Sequence, residues 1–146
     1  MTAFFASRQC PGTAIRAAMD WALEQAWTKT VVVSGFHSPL EQSVLKVLIT
    51  AHSPAVAVLA RPIHGAKLPP EWIEPLVQGQ LAVVSSAAIA NRLTQQLAAV
   101  RNAQVAQLAQ MIVVAHASPE GALVELLKQW RIDGRQVTVL SDLADG

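Results

Sequence analysis

The chain runs Thr30-Val31-Val32-Val33-Ser34-Gly35-Phe36-His37-Ser38-Pro39-Leu40-Glu41 through the segment that decides its fold. The β-branched run at its start has the length of one strand and is continuously apolar, which is typical of a strand buried on both faces of a parallel sheet. Ser38 and Pro39 then mark a helix start, because serine is a favoured N-cap and proline fits the first helical position. Glu41, three residues after Ser38, completes a capping box. The segment therefore predicts a strand, a short loop and a helix.

The same alternation of short apolar runs and longer helical patterns extends over the whole chain. The predicted strands are Ala3–Ala6, Thr30–Val33, Ala55–Leu59, Leu81–Val84, Met111–Ala115 and Gln136–Leu140. Apolar stripes at helical spacing lie between them, at Ile15, Ala18, Met19, Ala22, Leu23 and Ala26, at Leu40, Val44, Leu45, Val47 and Leu48, and at Ala122, Leu123, Leu126, Leu127 and Trp130. The stretch Ala87–Gln110 fits one long helix or two helices that meet near Val100. Six strands alternating with helices predict an α/β fold with a mostly parallel sheet.

Length and composition limit the class of protein. The chain has 146 residues, 52% hydrophobic and 14% charged, which suits a single domain, residues 1–146, with a substantial core. Low charge excludes a disordered protein, and the single cysteine, Cys10, excludes a disulfide-stabilised scaffold. The net charge of +1 argues against a generally basic surface for nucleic acid, although a local basic patch is compatible with it. Because there is neither a membrane-length apolar run nor a signal-peptide pattern, we expect a soluble cytoplasmic protein without membrane association.

The residues after each predicted strand are the candidate functional residues, since ligands of parallel α/β sheets bind beside the carboxyl ends of the strands. Cationic and imidazole side chains are concentrated there: Arg8, His37, Arg61, His64 and His116. Arg101 is expected to open a helix at the same edge. With only 11 lysines and arginines in the chain, three arginines in this region indicate a focused positive rim for an anion such as a phosphate.

Two serine-proline pairs at this edge have a second explanation. Ser38-Pro39 and Ser118-Pro119 both follow a strand and a histidine, and their free helix amides could hold an anion. Taken singly, each pair is better explained as a well-formed helix start, and both alternatives stay open.

No strong catalytic or metal-binding pattern is present in the sequence. The four histidines lack metal-ligand spacing, no carboxylate pair stands out, and there is no Walker A or dinucleotide-binding glycine motif. Cys10 precedes Pro11-Gly12 near an expected helix start, but a lone cysteine without an assigned base is more often a small buried residue. We therefore expect no metal and no cofactor.

Five segments at these loops resemble one known family. They are Phe4-Phe5-Ala6-Ser7-Arg8-Gln9-Cys10-Pro11-Gly12, Val33-Ser34-Gly35-Phe36-His37-Ser38-Pro39, Val58-Leu59-Ala60-Arg61-Pro62, Arg101-Asn102, and Val113-Val114-Ala115-His116-Ala117-Ser118-Pro119-Glu120-Gly121. In order and spacing they are similar to the Rossmann-like core of DNA-processing protein A (DprA, also called Smf), and the resemblance covers roughly residues 3 to 140. Its most specific parts are Ser34-Gly35, Arg101-Asn102 and the Pro-x-Gly at Pro119–Gly121.

The resemblance implies a protein that binds single-stranded DNA and helps to load a recombinase. It also implies that Ser34-Gly35, Arg101-Asn102 and the loop Ser118–Gly121 face phosphate or DNA. The chain departs from the family pattern at two places. Phe36-His37-Ser38-Pro39 stands where the family usually continues with glycine-rich sequence, and Glu120 adds a negative charge where a glycine is common.

We therefore predict a Rossmann-like α/β fold with a mostly parallel sheet of about six strands, helices on both faces, and a homodimeric assembly. The expected function is binding of single-stranded DNA or a nucleotide at a phosphate-binding edge, without catalysis. The residues expected to bind are Ser7, Arg8, Ser34, Gly35, His37, Ser38, Arg61, Arg101, Asn102, His116, Ser118 and Gly121. Two alternatives stay open: an enzyme acting on a nucleotide or nucleoside phosphate with Glu41 or Glu120 as acid–base group, and a scaffold subunit whose exposed leucine and tryptophan side chains form an oligomer interface.

Overall fold

The computed structural model describes residues 1–60, 67–85 and 94–144. The strands in this part of the chain are β1 (Thr2–Phe5), β2 (Val32–Ser34), β3 (Ala55–Leu59), β4 (Leu81–Ser85), β5 (Met111–Val114) and β6 (Gln136–Val139). The helices are α1 (Gly12–Thr28), α2 (Pro39–Thr50), α3 (Ile73–Val77), α4 (Thr94–Leu108), α5 (Ala122–Ile132) and α6 (Leu140–Ala144), and a short 3-10 turn (Pro70–Trp72) precedes α3. Each predicted strand is present, with its ends shifted by at most two residues.

All six strands are parallel and form one sheet in the order β4-β3-β2-β1-β5-β6. From β1 the chain adds β2, β3 and β4 on one side of the sheet, and then returns to add β5 and β6 on the other. The strand order therefore reverses between β1 and β5, which is where open α/β sheets form a ligand-binding crevice. This arrangement confirms the predicted Rossmann-like α/β fold.

Helices cover both faces of the sheet. Adjacent residues of a strand point to opposite faces, and the two phenylalanines of β1 illustrate this. Phe4 stacks on Trp21 of α1 with ring centroids 5.0 Å apart, whereas Phe5 lies against Trp130 of α5 on the other face at 4.9 Å. The core on the Phe4 side is completed by α2 and Leu140 of α6. The core on the Phe5 side is completed by α4 and α5.

The predicted buried stripe of α1 is partly wrong. The residues that face the sheet are Ala14, Ala18, Ala22 and Ala26, while Ile15 and Leu23 are exposed. Alanines at every fourth position form a flat ridge, which lets α1 pack closely against α2 and α6. Ile15, Leu23 and Trp27 are therefore directed toward solvent, whereas Met19 and Trp21 pack against the core.

The predicted helix start at Ser118-Pro119 is also wrong. Helix α5 begins at Ala122 with Gly121 as its N-cap. Ser118 instead opens a turn in which the Gly121 N–H donates to the Ser118 carbonyl at 2.9 Å. Ser118 lies three residues before the N-cap, and its hydroxyl donates to the carbonyl of Gln9 at 3.4 Å.

Arg101-Asn102 does not open a helix either, since both residues lie in the interior of α4. The described part of Ala87–Gln110 thus forms a single helix from Thr94 to Leu108, and residues 87–93 lie outside the described residues. Among the helices that the structure describes, none has both the length and the apolar character needed to cross a membrane.

Candidate functional site

A pocket of about 440 Å³ opens where the strand order reverses, at the carboxyl ends of β1 and β5. It is lined by Phe5, Ala6, Ser7, Arg8, Gln9, His37, Glu41, Ala98, Arg101, Asn102, Ser118, Gly121, Ala122 and Leu123. Seven of these are predicted binding residues, namely Ser7, Arg8, His37, Arg101, Asn102, Ser118 and Gly121. A larger hollow of about 700 Å³ lies between α2 and the 3-10 turn, and none of the predicted binding residues lines it.

Glu41 lies at the base of this pocket and organises the start of α2. Its side chain is almost completely buried, with the residue 1% exposed. One carboxylate oxygen, Oε1, accepts from the backbone N–H groups of His37 at 3.1 Å and Ser38 at 3.4 Å, while Oε2 accepts from the N–H of Ala6 at 3.1 Å. The Ser38 hydroxyl accepts from the Glu41 N–H in return, so the predicted capping box is confirmed. Because protein donors occupy both oxygens, Glu41 is a structural carboxylate and the acid–base role considered for it is wrong.

His37 connects Glu41 to Arg101. The Nδ1 atom of His37 lies 2.9 Å from Glu41 Oε1, and its Nε2 atom lies 3.1 Å from Nη2 of Arg101. Arg101 in turn donates to Oδ1 of Asn102 from Nε at 3.3 Å and from Nη2 at 3.1 Å. A chain of polar contacts therefore crosses the pocket from α2 to α4.

The guanidinium of Arg101 is a buried positive charge, with the residue only 7% exposed. Burial lowers the pKa of Arg101, and the negative charge of Glu41 offsets part of that effect. An arginine remains protonated under these conditions. Among the described residues, no carboxylate lies within ion-pair distance of Arg101. In the described part of the chain, the hydrogen-bond partners of its guanidinium are the imidazole of His37 and the amide oxygen of Asn102.

Gly35 and Ser34 are placed behind the pocket and do not line it. A Cβ atom on Gly35 would lie 2.9 Å from both Cδ and Nε of Arg101 and 3.0 Å from Nδ1 of His37. Any larger residue here would therefore require the Arg101 side chain to shift. Ser34 is fully buried, and its hydroxyl accepts from the N–H of Phe36 at 3.1 Å, which shapes the turn in which Phe36 adopts a positive φ of 47°.

The opposite wall of the pocket is formed where the β1–α1 loop meets the start of α5. The Ser118 N–H donates to the Ser7 hydroxyl at 2.8 Å, which ties the two loops together. Gly121, the N-cap of α5, has no side chain with which to satisfy the first-turn amides, and among the described residues no other side chain caps them. The N–H groups of a first helical turn have no partners inside the helix, and Ala122 and Leu123 of this turn line the pocket.

Two of the remaining predicted residues, Ser38 and His116, do not line the pocket. Ser38 is buried at the N-terminus of α2, where its hydroxyl caps the helix. The backbone oxygen of His116 accepts from the Ser7 N–H, and its buried Nδ1 has no hydrogen-bond partner in the described part of the chain. Arg61, like His64, lies outside the described residues. Glu120, the second acid–base candidate, is exposed on the turn before α5 and does not line the pocket.

The Cys10 thiol donates to the carbonyl of Ser7 at 3.3 Å. Burial and, to a smaller extent, the charge of Glu41 raise the pKa of Cys10, so the residue is a protonated, partly buried thiol.

Sequence reasoning missed the pocket residues Ala98, Gln9 and Leu123. Ala98 gives no signal in a sequence, and Leu123 was identified only as part of an apolar helix face. In the described residues no group of three potential ligands could hold a metal ion.

The family model of DNA recombination-mediator protein A matches residues 1–144 of the chain. The chain belongs to this family. Two solved DprA structures share its fold: that of Streptococcus pneumoniae DprA, with a TM-score of 0.73 and 17% sequence identity, and that of Helicobacter pylori DprA, with a TM-score of 0.74 and 12% identity. The second was described for its single-stranded DNA binding mode.

The aligned region covers 93% of this chain and 48% of the pneumococcal protein, and 94% of this chain and 63% of the Helicobacter protein. The chain therefore spans less than two thirds of these DprA proteins. The comparison with curated proteins gave no match. Within the DprA family pattern, the departure at Phe36–Pro39 supplies His37 and Ser38, which are two of the residues that link Glu41 to the pocket.

We expect Glu41→Gln to lower the free energy of unfolding by about 2–3 kcal/mol. Glutamine is uncharged and carries an NH2 donor in place of one carboxylate oxygen, so a buried N–H group loses its acceptor. Urea denaturation of both proteins measures the difference. Glu24→Gln on the exposed side of α1 is the matched control and should change stability by no more than about 0.5 kcal/mol. Equal stability of the Glu41 variant and the parent would contradict the structural role of this carboxylate.

Gly35→Ala should displace Arg101 and lower the free energy of unfolding by about 1–3 kcal/mol, because the added methyl group overlaps the arginine side chain. Thermal unfolding measures this effect. In an Arg101→Ala background the same glycine substitution should cost less, since Cδ and Nε of the arginine are gone and only the 3.0 Å approach to Nδ1 of His37 remains among the three nearest atoms. Gly12→Ala, where an added Cβ meets nothing within 4 Å in the described structure, is the control. An unchanged penalty in the Arg101→Ala background would show that Gly35 is needed for another reason.

Proposed function

We propose that the chain binds single-stranded DNA, or a nucleotide, by holding its phosphates in the pocket between β1 and β5, without chemistry of its own. The observation that carries this proposal is the buried guanidinium of Arg101. A buried charge without a direct counter-ion is costly to maintain in a folded protein. A phosphate in the pocket would supply that counter-ion.

The other walls of the pocket also suit an anion. Arg8 is exposed at the rim and adds a second positive charge. The uncapped first turn of α5 offers N–H groups and the positive end of the helix dipole. The negative charge of Glu41 is compensated by the N–H groups of Ala6, His37 and Ser38. The lining thus combines two arginines with one carboxylate that is already hydrogen-bonded.

Family membership supports a nucleic acid as the natural polyanion. The Helicobacter relative binds single-stranded DNA, and residues from four of the five family-like segments line this pocket. We extend the proposal to recombinase loading as the role of the whole protein, and to the cytoplasm as its compartment. An enzyme that acts on a nucleotide or nucleoside phosphate is less well supported. The carboxylate of Glu41 accepts hydrogen bonds from three backbone N–H groups, and Glu120 does not line the pocket.

Binding of a short single-stranded oligonucleotide should weaken steeply with salt, because each neutralised phosphate of a single strand contributes a slope of about −0.7 in a plot of log K against log salt concentration. Arg101→Met should weaken binding and reduce the slope by about 0.7, the contribution of one phosphate contact. Fluorescence anisotropy with a labelled oligonucleotide measures both quantities.

Arg131→Met is the matched control for that experiment, since Arg131 is exposed at the far end of α5. It should leave the salt slope unchanged, and circular dichroism should show both variants folded. Binding that is insensitive to salt, or an Arg101→Met protein that binds like the parent, would refute the pocket as the phosphate site.

We also propose that the chain forms a homodimer through the outer face of α1, because a specific surface favours it. Met19, Leu23 and Trp27 are four residues apart and so lie along one side of the helix. Leu23 is 59% exposed and Trp27 is 89% exposed. Met19 and Leu23, together with Val47 of α2, line a groove of about 430 Å³ between α1 and α2.

A second copy of the chain fits this surface because the three positions are symmetric about Leu23. Two antiparallel α1 helices related by a two-fold axis at Leu23 place Trp27 of each copy beside Met19 and the groove of the other, as a self-complementary interface requires. A tryptophan side chain buries about 150–250 Å². That is about a quarter of the roughly 800 Å² that each partner contributes to a typical stable interface.

Sedimentation velocity should show a dimer that Trp27→Glu converts to a monomer, because the substitution places a charge in the apolar interface. Val77→Glu, at an exposed apolar position on α3, is the control and should remain dimeric. A parent protein that is monomeric at all accessible concentrations, or a Trp27→Glu protein that is still dimeric, would contradict this assembly.

A further inference from the structure

We propose that the bound phosphate lies between Arg101 and a protonated His37, so that binding of the nucleic acid takes up one proton. The inference rests on the proposed phosphate-binding function of the pocket and adds to it a second ligand group and a pH dependence. It depends on the position of His37 between a carboxylate on one side and a guanidinium on the other.

The partners of His37 determine its protonation state when the pocket is empty. Glu41 Oε1, 2.9 Å from Nδ1, can only accept a hydrogen bond, so Nδ1 carries the hydrogen. Arg101 Nη2, 3.1 Å from Nε2, can only donate, so Nε2 must accept with its lone pair. Both contacts are satisfied by one form of the side chain, the neutral imidazole with its hydrogen on Nδ1.

A second proton on His37 would disrupt this arrangement in the empty pocket. The new N–H on Nε2 would face the N–H groups of Arg101, so a hydrogen bond would be lost and two positive charges would meet at a distance of about 3 Å. A phosphate oxygen between the two groups reverses the situation, since it accepts from both Nε2–H and the guanidinium in charge-assisted hydrogen bonds. Protonation of His37 and binding of the anion therefore favour each other, and this coupling is reciprocal.

The surroundings of His37 allow such a ligand to reach it. Its side chain is 47% exposed, whereas the side chain of Glu41 behind it is 2% exposed. The charged groups that face it are Glu41 from α2, Arg101 from α4 and Arg8 from the β1–α1 loop. The β5–α5 turn contributes only Ser118 and Gly121 to the pocket, and the charged Glu120 of that turn is exposed outside the lining. Among the described residues, His37 is thus the imidazole that lines the pocket, and an imidazole is the kind of side chain that can exchange a proton between about pH 5 and pH 8.

Isothermal titration calorimetry tests the inference directly. The probe is a short oligothymidylate with free 5′ and 3′ hydroxyl groups, because its phosphodiesters and bases do not titrate in this pH range. Titrations in two buffers of different ionisation enthalpy give the number of protons taken up on binding. We expect the number of protons taken up to approach one. The association constant should then rise by up to about tenfold for each unit by which the pH is lowered, since one proton is bound together with the ligand.

Two variants separate His37 from other titrating groups. His37→Gln keeps an oxygen that can accept from Arg101 and an amide group that can donate to Glu41, but it cannot take up a proton. It should bind the oligothymidylate more weakly than the parent protein at low pH, with no proton uptake and little dependence on pH. His52→Asn, in the exposed turn after α2, is the matched control and should keep the uptake of the parent protein. Asparagine suits this position because its φ is 55°, in the left-handed region.

The outcomes distinguish this inference from the function on which it rests. Binding without proton uptake in the parent protein, or uptake that persists in His37→Gln, overturns the role of His37 and leaves phosphate binding intact. Absence of binding at every pH overturns the proposed function itself. Uptake that is lost in His37→Gln and retained in His52→Asn supports the inference.

Discussion

The hydrogen bonds to the buried carboxylate of Glu41 hold the functional edge of the molecule together. The carboxylate accepts from Ala6 at the end of β1 and from His37 and Ser38 in the β2–α2 loop. Since a buried carboxylate without partners is strongly destabilising, these donors must stay in place for the chain to fold as it does. One side chain therefore fixes the loop between β2 and α2, the start of α2 and its distance from the central strand.

The position of Arg101 follows from that loop. Glu41 orients the ring of His37, the ring accepts from Arg101, and Gly35 leaves the space through which the arginine side chain passes. The result is a positive charge held inside the protein, with the His37 ring and the Asn102 amide as its hydrogen-bond partners among the described residues. Such an arrangement costs stability, and proteins retain such costs mainly at sites where a ligand is bound. The free-energy cost of keeping the Arg101 charge buried is thus the physical basis of the binding function that we propose.

The elements that sequence analysis predicted well are those determined by neighbouring residues. Short β-branched runs gave the six strands, and the capping box at Ser38 and Glu41 gave the start of α2. The start of α5 was missed because the groups of Ser118 are engaged by Ser7, 111 residues away in the chain, and by Gln9. The buried face of α1 was assigned incorrectly because this helix carries two apolar stripes with the same spacing, and periodicity does not show which of them faces the sheet.

The sequence by itself determined that this chain forms a parallel α/β sheet and that its cationic and small polar residues follow the strands, since strand length, apolar patterning and helix capping are encoded in adjacent residues. Only the tertiary structure decided which of these residues meet. Arg101 contacts His37 across 64 residues of sequence and from the interior of a helix that was expected to begin there. Gly35, expected to face the ligand, instead makes room for the arginine. The physical reason is that such contacts depend on strand order and helix packing, which bring distant segments together and which no local pattern of residues specifies.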